Sequence, residues 1–161
     1  LESIALLKKA GFKIVYIIVG RSMDPIVKKA EDLSTSDYLI TPGQVNSNTI
    51  NELLISSDIY MSPSIVESFG LTTLEAMGAG LPCVVTEIDG SKDLVSAEYG
   101  FLVEPQNAAA IANALQYLIE NPTVRKVMGR KAKKEAQKYD WLNIAKKYSE
   151  TYQIAIDKTS I

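Results

Sequence analysis

The chain has 161 residues, enough for one domain with a real core. Apolar residues make up 47% and charged residues 22%, a globular composition, and 17 Lys plus Arg against 19 Asp plus Glu leave a net charge of −2. That balance argues against nucleic acid as a partner, the lone Cys83 excludes an internal disulfide, and the absence of histidine excludes His-based triads and the usual zinc sets.

Residues 1–10 carry Ile4, Leu7 and Ala10 at helical spacing, with Gly11 placed to end the helix. KIVYIIV, residues 13–19, is a β-branched run closed by Gly20 and reads as a buried strand. Residues 25–33 read as a helix with Asp24 as N-cap and Pro25 at its first position. DYLIT, residues 37–41, is a short strand stopped by Pro42 and Gly43. Residues 48–56 are a helix burying Ile50, Leu53 and Leu54, and residues 58–61 a third strand.

A loop over 62–69 leads to a helix over 70–79, then a strand over 81–86 in which Pro82 fits only near the start. A short helix over 90–95 and a fifth strand over Gly100–Val103 follow. The remainder reads as three helices, 107–120, 123–139 and 141–156. Strands alternating with helices imply parallel pairing by right-handed crossovers, so the expected class is α/β with a doubly wound parallel sheet. In such sheets ligands lie beyond the carboxyl ends of the strands. That rule singles out Gly20, residues 42–45, residues 62–69 and residues 86–90.

The stretch PSIVESFGLTTLEAMGAGLP, residues 63–82, holds Glu67 in the loop and Glu75 about two turns into the next helix, with seven residues between them. The backbone N–H groups of Gly70 and Leu71, at that helix start, have no intrahelical partner and carry the positive end of the dipole, which suits a phosphate. A carboxylate set back on the helix can accept hydrogen bonds from sugar hydroxyls. Two isolated glutamates would read as ordinary solvated loop and helix-surface carboxylates. The flanking residues give this pair its meaning.

The segment resembles the donor-binding signature of retaining glycosyltransferases of the GT-B fold. The resemblance rests on the paired glutamates within ESFGLTTLEAMGAGLP and on VVTEIDG, EYGFLVEP, YIIVG and TPGQVNSNTINELLISSDIYMSPS, so it runs along nearly the whole chain. It implies the Rossmann-like, nucleotide-sugar-binding C-terminal half of that fold, over residues 1–161. On the same resemblance Glu75 binds the ribose hydroxyls of a nucleotide-diphosphate sugar, and Glu67 is the catalytic position, near the reacting carbon. Gly70, Leu71 and Thr72 meet the distal phosphate, Val45 lies against the base, and Gly20 lines the cleft. The implied activity is retaining, metal-independent hexosyl transfer of the kind used in polysaccharide biosynthesis. No metal and no cofactor beyond the donor substrate are implied, and the chain contains no Asp-x-Asp pair.

Two parts of the family pattern have no counterpart in these residues. One is the N-terminal, acceptor-binding lobe. The other is a central strand and turn expected before Leu1, which supplies an Arg and a Lys to the diphosphate. The expectations are therefore a fragment inactive by itself and a gap in the sheet with unpaired backbone groups beside it. The alternative function is a non-catalytic nucleotide- or sugar-binding module.

The basic run Arg125, Lys126, Arg130, Lys131, Lys133, Lys134 and Lys138 reads as a solvated helix face. Its functional alternative is peripheral contact of the full-length protein with an anionic membrane. Trp141 and Tyr148 read as packing residues; on the resemblance, the last helix reaches back to the other lobe, and the alternative is an exposed interface. Cytoplasmic location is expected, and self-association is left open.

Overall fold

The computed structural model describes residues 1–159. Among the described residues five parallel strands alternate with helices as far as the fifth strand, and three helices follow, as expected of an α/β protein. The strands are β1 (Tyr16–Val19), β2 (Leu39–Gly43), β3 (Tyr60–Ser62), β4 (Cys83–Thr86) and β5 (Gly100–Val103). The helices are α1 (Glu2–Lys9), α2 (Asp24–Asp32), α3 (Ser47–Ser56), α4 (Leu71–Ala79), α5 (Asp89–Lys92), α6 (Ala108–Glu120), α7 (Pro122–Ala136) and α8 (Trp141–Thr159).

The strands divide into two sheets, β1–β2 and β3–β4–β5. Register runs Tyr16 with Leu39 and Ile17 with Ile40 in the first, and Val84 with both Met61 and Phe101 in the second. Both half-sheets contribute to one apolar cluster. Tyr16 packs from the first, with Tyr38 just ahead of β2, and Met61, Val84 and Val103 from the second, against Ile4 and Leu7 of α1 and Ile111, Leu115 and Leu118 of α6.

β4 organises the core by alternation. Val84 points into the α1–α6 cluster, and Cys83 and Val85 point into a second one with Ala76 and Met77 of α4, Leu94 and Ala132 of α7. Helices thus cover both faces of the β3–β4–β5 sheet, the doubly wound arrangement. Cys83 is buried, and burial pushes its thiol up to about 12, so it is an inert core residue and no nucleophile.

Several local expectations need correction. β1 is not a buried strand: Ile17 is 37% and Val19 38% exposed and alternate with half-buried Tyr16 and Ile18, so one face of the strand is left largely uncovered. The N-cap of α2 is Met23 and not Asp24, which lies inside the helix with Pro25 after it. Ser36–Tyr38 forms a 3-10 turn instead of opening β2, and Lys8 reaches across to Asp37 at 2.6 Å, holding that carboxyl below its usual range. Pro42 and Gly43 lie within β2; an edge strand tolerates a proline whose missing N–H faces no partner. Ile50, Leu53 and Leu54 of α3 are only half-buried.

Trp141 and Tyr148 are not packing residues. They are 85% and 60% exposed, because α8 leaves the body of the domain after the 3-10 turn Gln137–Tyr139 that it packs against. The basic run of α7 and the 3-10 turn after it is partly paired: Arg125 meets Asp58 at 3.0 Å, Lys131 meets Glu98 at 3.1 Å and Lys138 meets Glu135 at 2.7 Å. Among the described residues no helix is long and apolar enough to cross a membrane.

Candidate donor site

Parallel strands deliver their following loops to one end of the fold. Two groups of the singled-out residues lie there. The first is at β1 and β2. The Gly20 amide donates to the Gly43 carbonyl at 3.1 Å, and Arg21 Nε donates to Gln44 Oε1 at 3.0 Å, so the turn after β1 is tied to the loop after β2. Half-buried Val45 ends that loop, just before Asn46 caps α3 through its side chain, which accepts from the Thr49 amide at 3.0 Å.

The second group follows β3. Gly70 is the N-cap of α4 at φ +89°, a left-handed conformation that favours glycine. It places no capping side chain over the helix start, so the first amides of α4, including those of Leu71 and Thr72, face outward with the dipole's positive end. Glu67 is half-buried in the loop before it. Glu75 is the fifth residue of α4, one turn in rather than the two expected, and exposed. Neither carboxylate has an ion pair or side-chain hydrogen bond to protein among the described residues, which leaves both sets of oxygens to a ligand.

Three residues that the sequence reading did not assign hold this second group. Tyr60 of β3 donates its hydroxyl to Thr72 Oγ1 at 2.9 Å, which leaves the threonine proton free to turn outward. Thr86, at the end of β4, donates to the Ser64 carbonyl. Gly90 of α5 lies directly beneath the backbone of Glu67 and Phe69. The only sequence signal of Thr86 and Gly90 was position, since residues 86–90 sit at a strand's carboxyl end; Tyr60, inside a strand, had none.

The profile of the family described as glycosyl transferases group 1 matches residues 1–135. The chain belongs to that family. It is 32% identical over 154 residues to a glycosyltransferase of Methanocaldococcus jannaschii, a match covering 94% of this chain and 40% of that protein. The fold is that of sucrose-phosphate synthase from Thermosynechococcus elongatus, with a TM-score of 0.85, 23% identity, and coverage of 98% of this chain and 42% of that one. Anabaena HepE, solved in complex with UDP, superposes with a TM-score of 0.84 at 23% identity over 93% of this chain and 44% of its own. The chain therefore spans less than half the length of each of these proteins.

Proposed function

We propose that this chain is the donor half of a retaining glycosyltransferase that takes its sugar from a nucleotide-diphosphate sugar without a metal. The observation that carries this reading is the α4 N-terminus. A left-handed glycine exposes unpaired amides there, Glu67 stands before them and Glu75 one turn behind. The amides and dipole suit the distal phosphate, and Thr72 adds a hydroxyl that Tyr60 orients. Glu75, set back from the phosphate, accepts from the ribose hydroxyls. Glu67, on the loop, faces the transferred sugar near its reacting carbon. Gly20 and Val45 form the wall against the base.

In retaining transfer the sugar carbon gains positive character as the diphosphate departs. The residues argued here supply one carboxylate beside that carbon and amides beside the leaving group. The binding of UDP by the Anabaena protein of the same fold supports a nucleoside diphosphate as ligand. The acceptor site comes from an N-terminal lobe of the longer protein, and further cations for the diphosphate from the strand and turn expected ahead of Leu1, consistent with a chain that spans 40% of its M. jannaschii relative. Alone, these residues bind donor and transfer no sugar.

Calorimetric titration with UDP, GDP and ADP tests the reading. One nucleotide should bind saturably, and Glu75→Ala should weaken it about 10- to 100-fold through loss of charge-assisted hydrogen bonds to the ribose. Equal affinity in Glu75→Ala would remove Glu75 from the site. Binding without transfer by the full natural polypeptide would favour the non-catalytic module.

A further inference from the structure

We propose that Gly90 is a positioning residue for Glu67: α5 is kept bare at this point so that the loop bearing the carboxylate rests backbone to backbone upon it. The inference rests on Glu67 acting at the transferred sugar, as argued above.

A Cβ on Gly90 would lie 2.5 Å from the Glu67 carbonyl oxygen and 2.9 Å from both the Glu67 carbonyl carbon and the Phe69 amide nitrogen. All three are main-chain atoms, so no side-chain rotation relieves the clash. The loop would have to rise by about 1 Å to reach ordinary contact distance. Gly90 is not among the glycines with positive φ. Its backbone conformation is open to any residue, and the close approach of the Glu67 loop is what demands glycine.

The loop is also held on either side of that contact. Before Glu67, buried Thr86 donates its hydroxyl to the Ser64 carbonyl, and the Ser62 and Ser64 hydroxyls are 3.1 Å apart. After it, the Phe69 ring meets Tyr139 edge-on with centroids 5.7 Å apart, and Leu94 lies against Gly70. Three elements, the end of β4, α5 and the 3-10 turn before α8, thus support the loop from below. The support sets the height of Glu67 relative to the α4 amides that would receive the phosphate. A reacting group displaced by 1 Å can lose about 100-fold in rate.

The test uses the full natural polypeptide and measures kcat for sugar transfer, nucleotide Kd and thermal midpoint. Gly90→Ala is expected to lower kcat by about 30- to 100-fold with nucleotide Kd within about threefold of wild type. Thr86→Val, which removes the hydroxyl without adding bulk, should lower kcat by about fivefold, and Thr86→Ser should restore it. An unchanged kcat in folded Gly90→Ala overturns the inference, as does a kcat that falls only in step with nucleotide affinity. Should Gly90→Ala fail to fold, the Thr86 pair decides: serine-specific rescue supports the inference, and equal rates for valine and serine overturn it. Full activity in Glu67→Gln overturns the functional reading together with this inference. Loss in Glu67→Gln beside wild-type rates in Gly90→Ala overturns this inference alone.

Discussion

Glu67→Gln is expected to lower the rate of sugar transfer in the full natural polypeptide by about 10²- to 10³-fold while leaving nucleotide affinity within about threefold. The substitution keeps the size and hydrogen-bonding reach of the side chain and removes its charge. Glu67 is half-buried on a loop held from below by α5 and by Thr86, so the amide should occupy the carboxylate's place. On the proposed function, what disappears is a negative charge beside a carbon that becomes positive only as the diphosphate leaves. An interaction made mainly in the transition state reduces kcat and spares binding. Steady-state kinetics with calorimetry of the nucleotide separate the two. A parallel fall in affinity would place Glu67 in ground-state binding, and an unchanged kcat would remove it from the chemistry.

The second large effect is on stability. Leu118 of α6 has no exposed surface and lies in the cluster where α1, α6, β4 and β5 meet. Leu118→Ala should cost about 3–4 kcal/mol, the lost transfer energy plus the cavity left where helix and sheet cannot close up. For a domain of this size that corresponds to about 6–16 °C in the thermal midpoint. Ile55→Ala on α3 is the matched control: its side chain is 73% exposed, and the change should stay within about 0.5 kcal/mol. Thermal unfolding followed by circular dichroism distinguishes them, and similar midpoints would mean that the α1–α6 cluster does not carry the fold.

The parts of the fold legible in the sequence were those with a strong local pattern. The apolar run of β4 between Pro82 and Glu87 formed a buried strand, and Gly11 took the left-handed conformation just past the end of α1. What pattern did not reveal depended on neighbours. The apolar character of β1 suggested burial, yet how deeply Ile17 and Val19 lie is decided by what stands beside the strand. Asp37 lies in a 3-10 turn and not in the strand, and its partner there is Lys8, far away in sequence. Trp141 looked like core and is exposed, since periodicity tells which residues share a helix face and not whether anything meets that face.

The same division holds for the candidate site. The glutamates and the α4 start were readable because residue type, spacing and resemblance coincided. The support from Thr86 and Gly90 was not, because a backbone laid on a glycine has no period and no charge to announce it.

The split between the sheets also orders the way this molecule opens. β4 has a strand on each side and every residue buried, so its amides should exchange with solvent only when the whole domain unfolds. β1 and β2 are joined only to each other, and their amides can be freed by a smaller, sub-global opening. Hydrogen exchange should therefore protect β4 more strongly than β1, and equal protection would mean a single cooperative unit. Gly20 and Val45 ride on the less protected half, and Glu67 and the α4 amides on the more protected one. The wall proposed for the base can then adjust to its ligand at little cost, while the wall proposed for phosphate and sugar stays fixed.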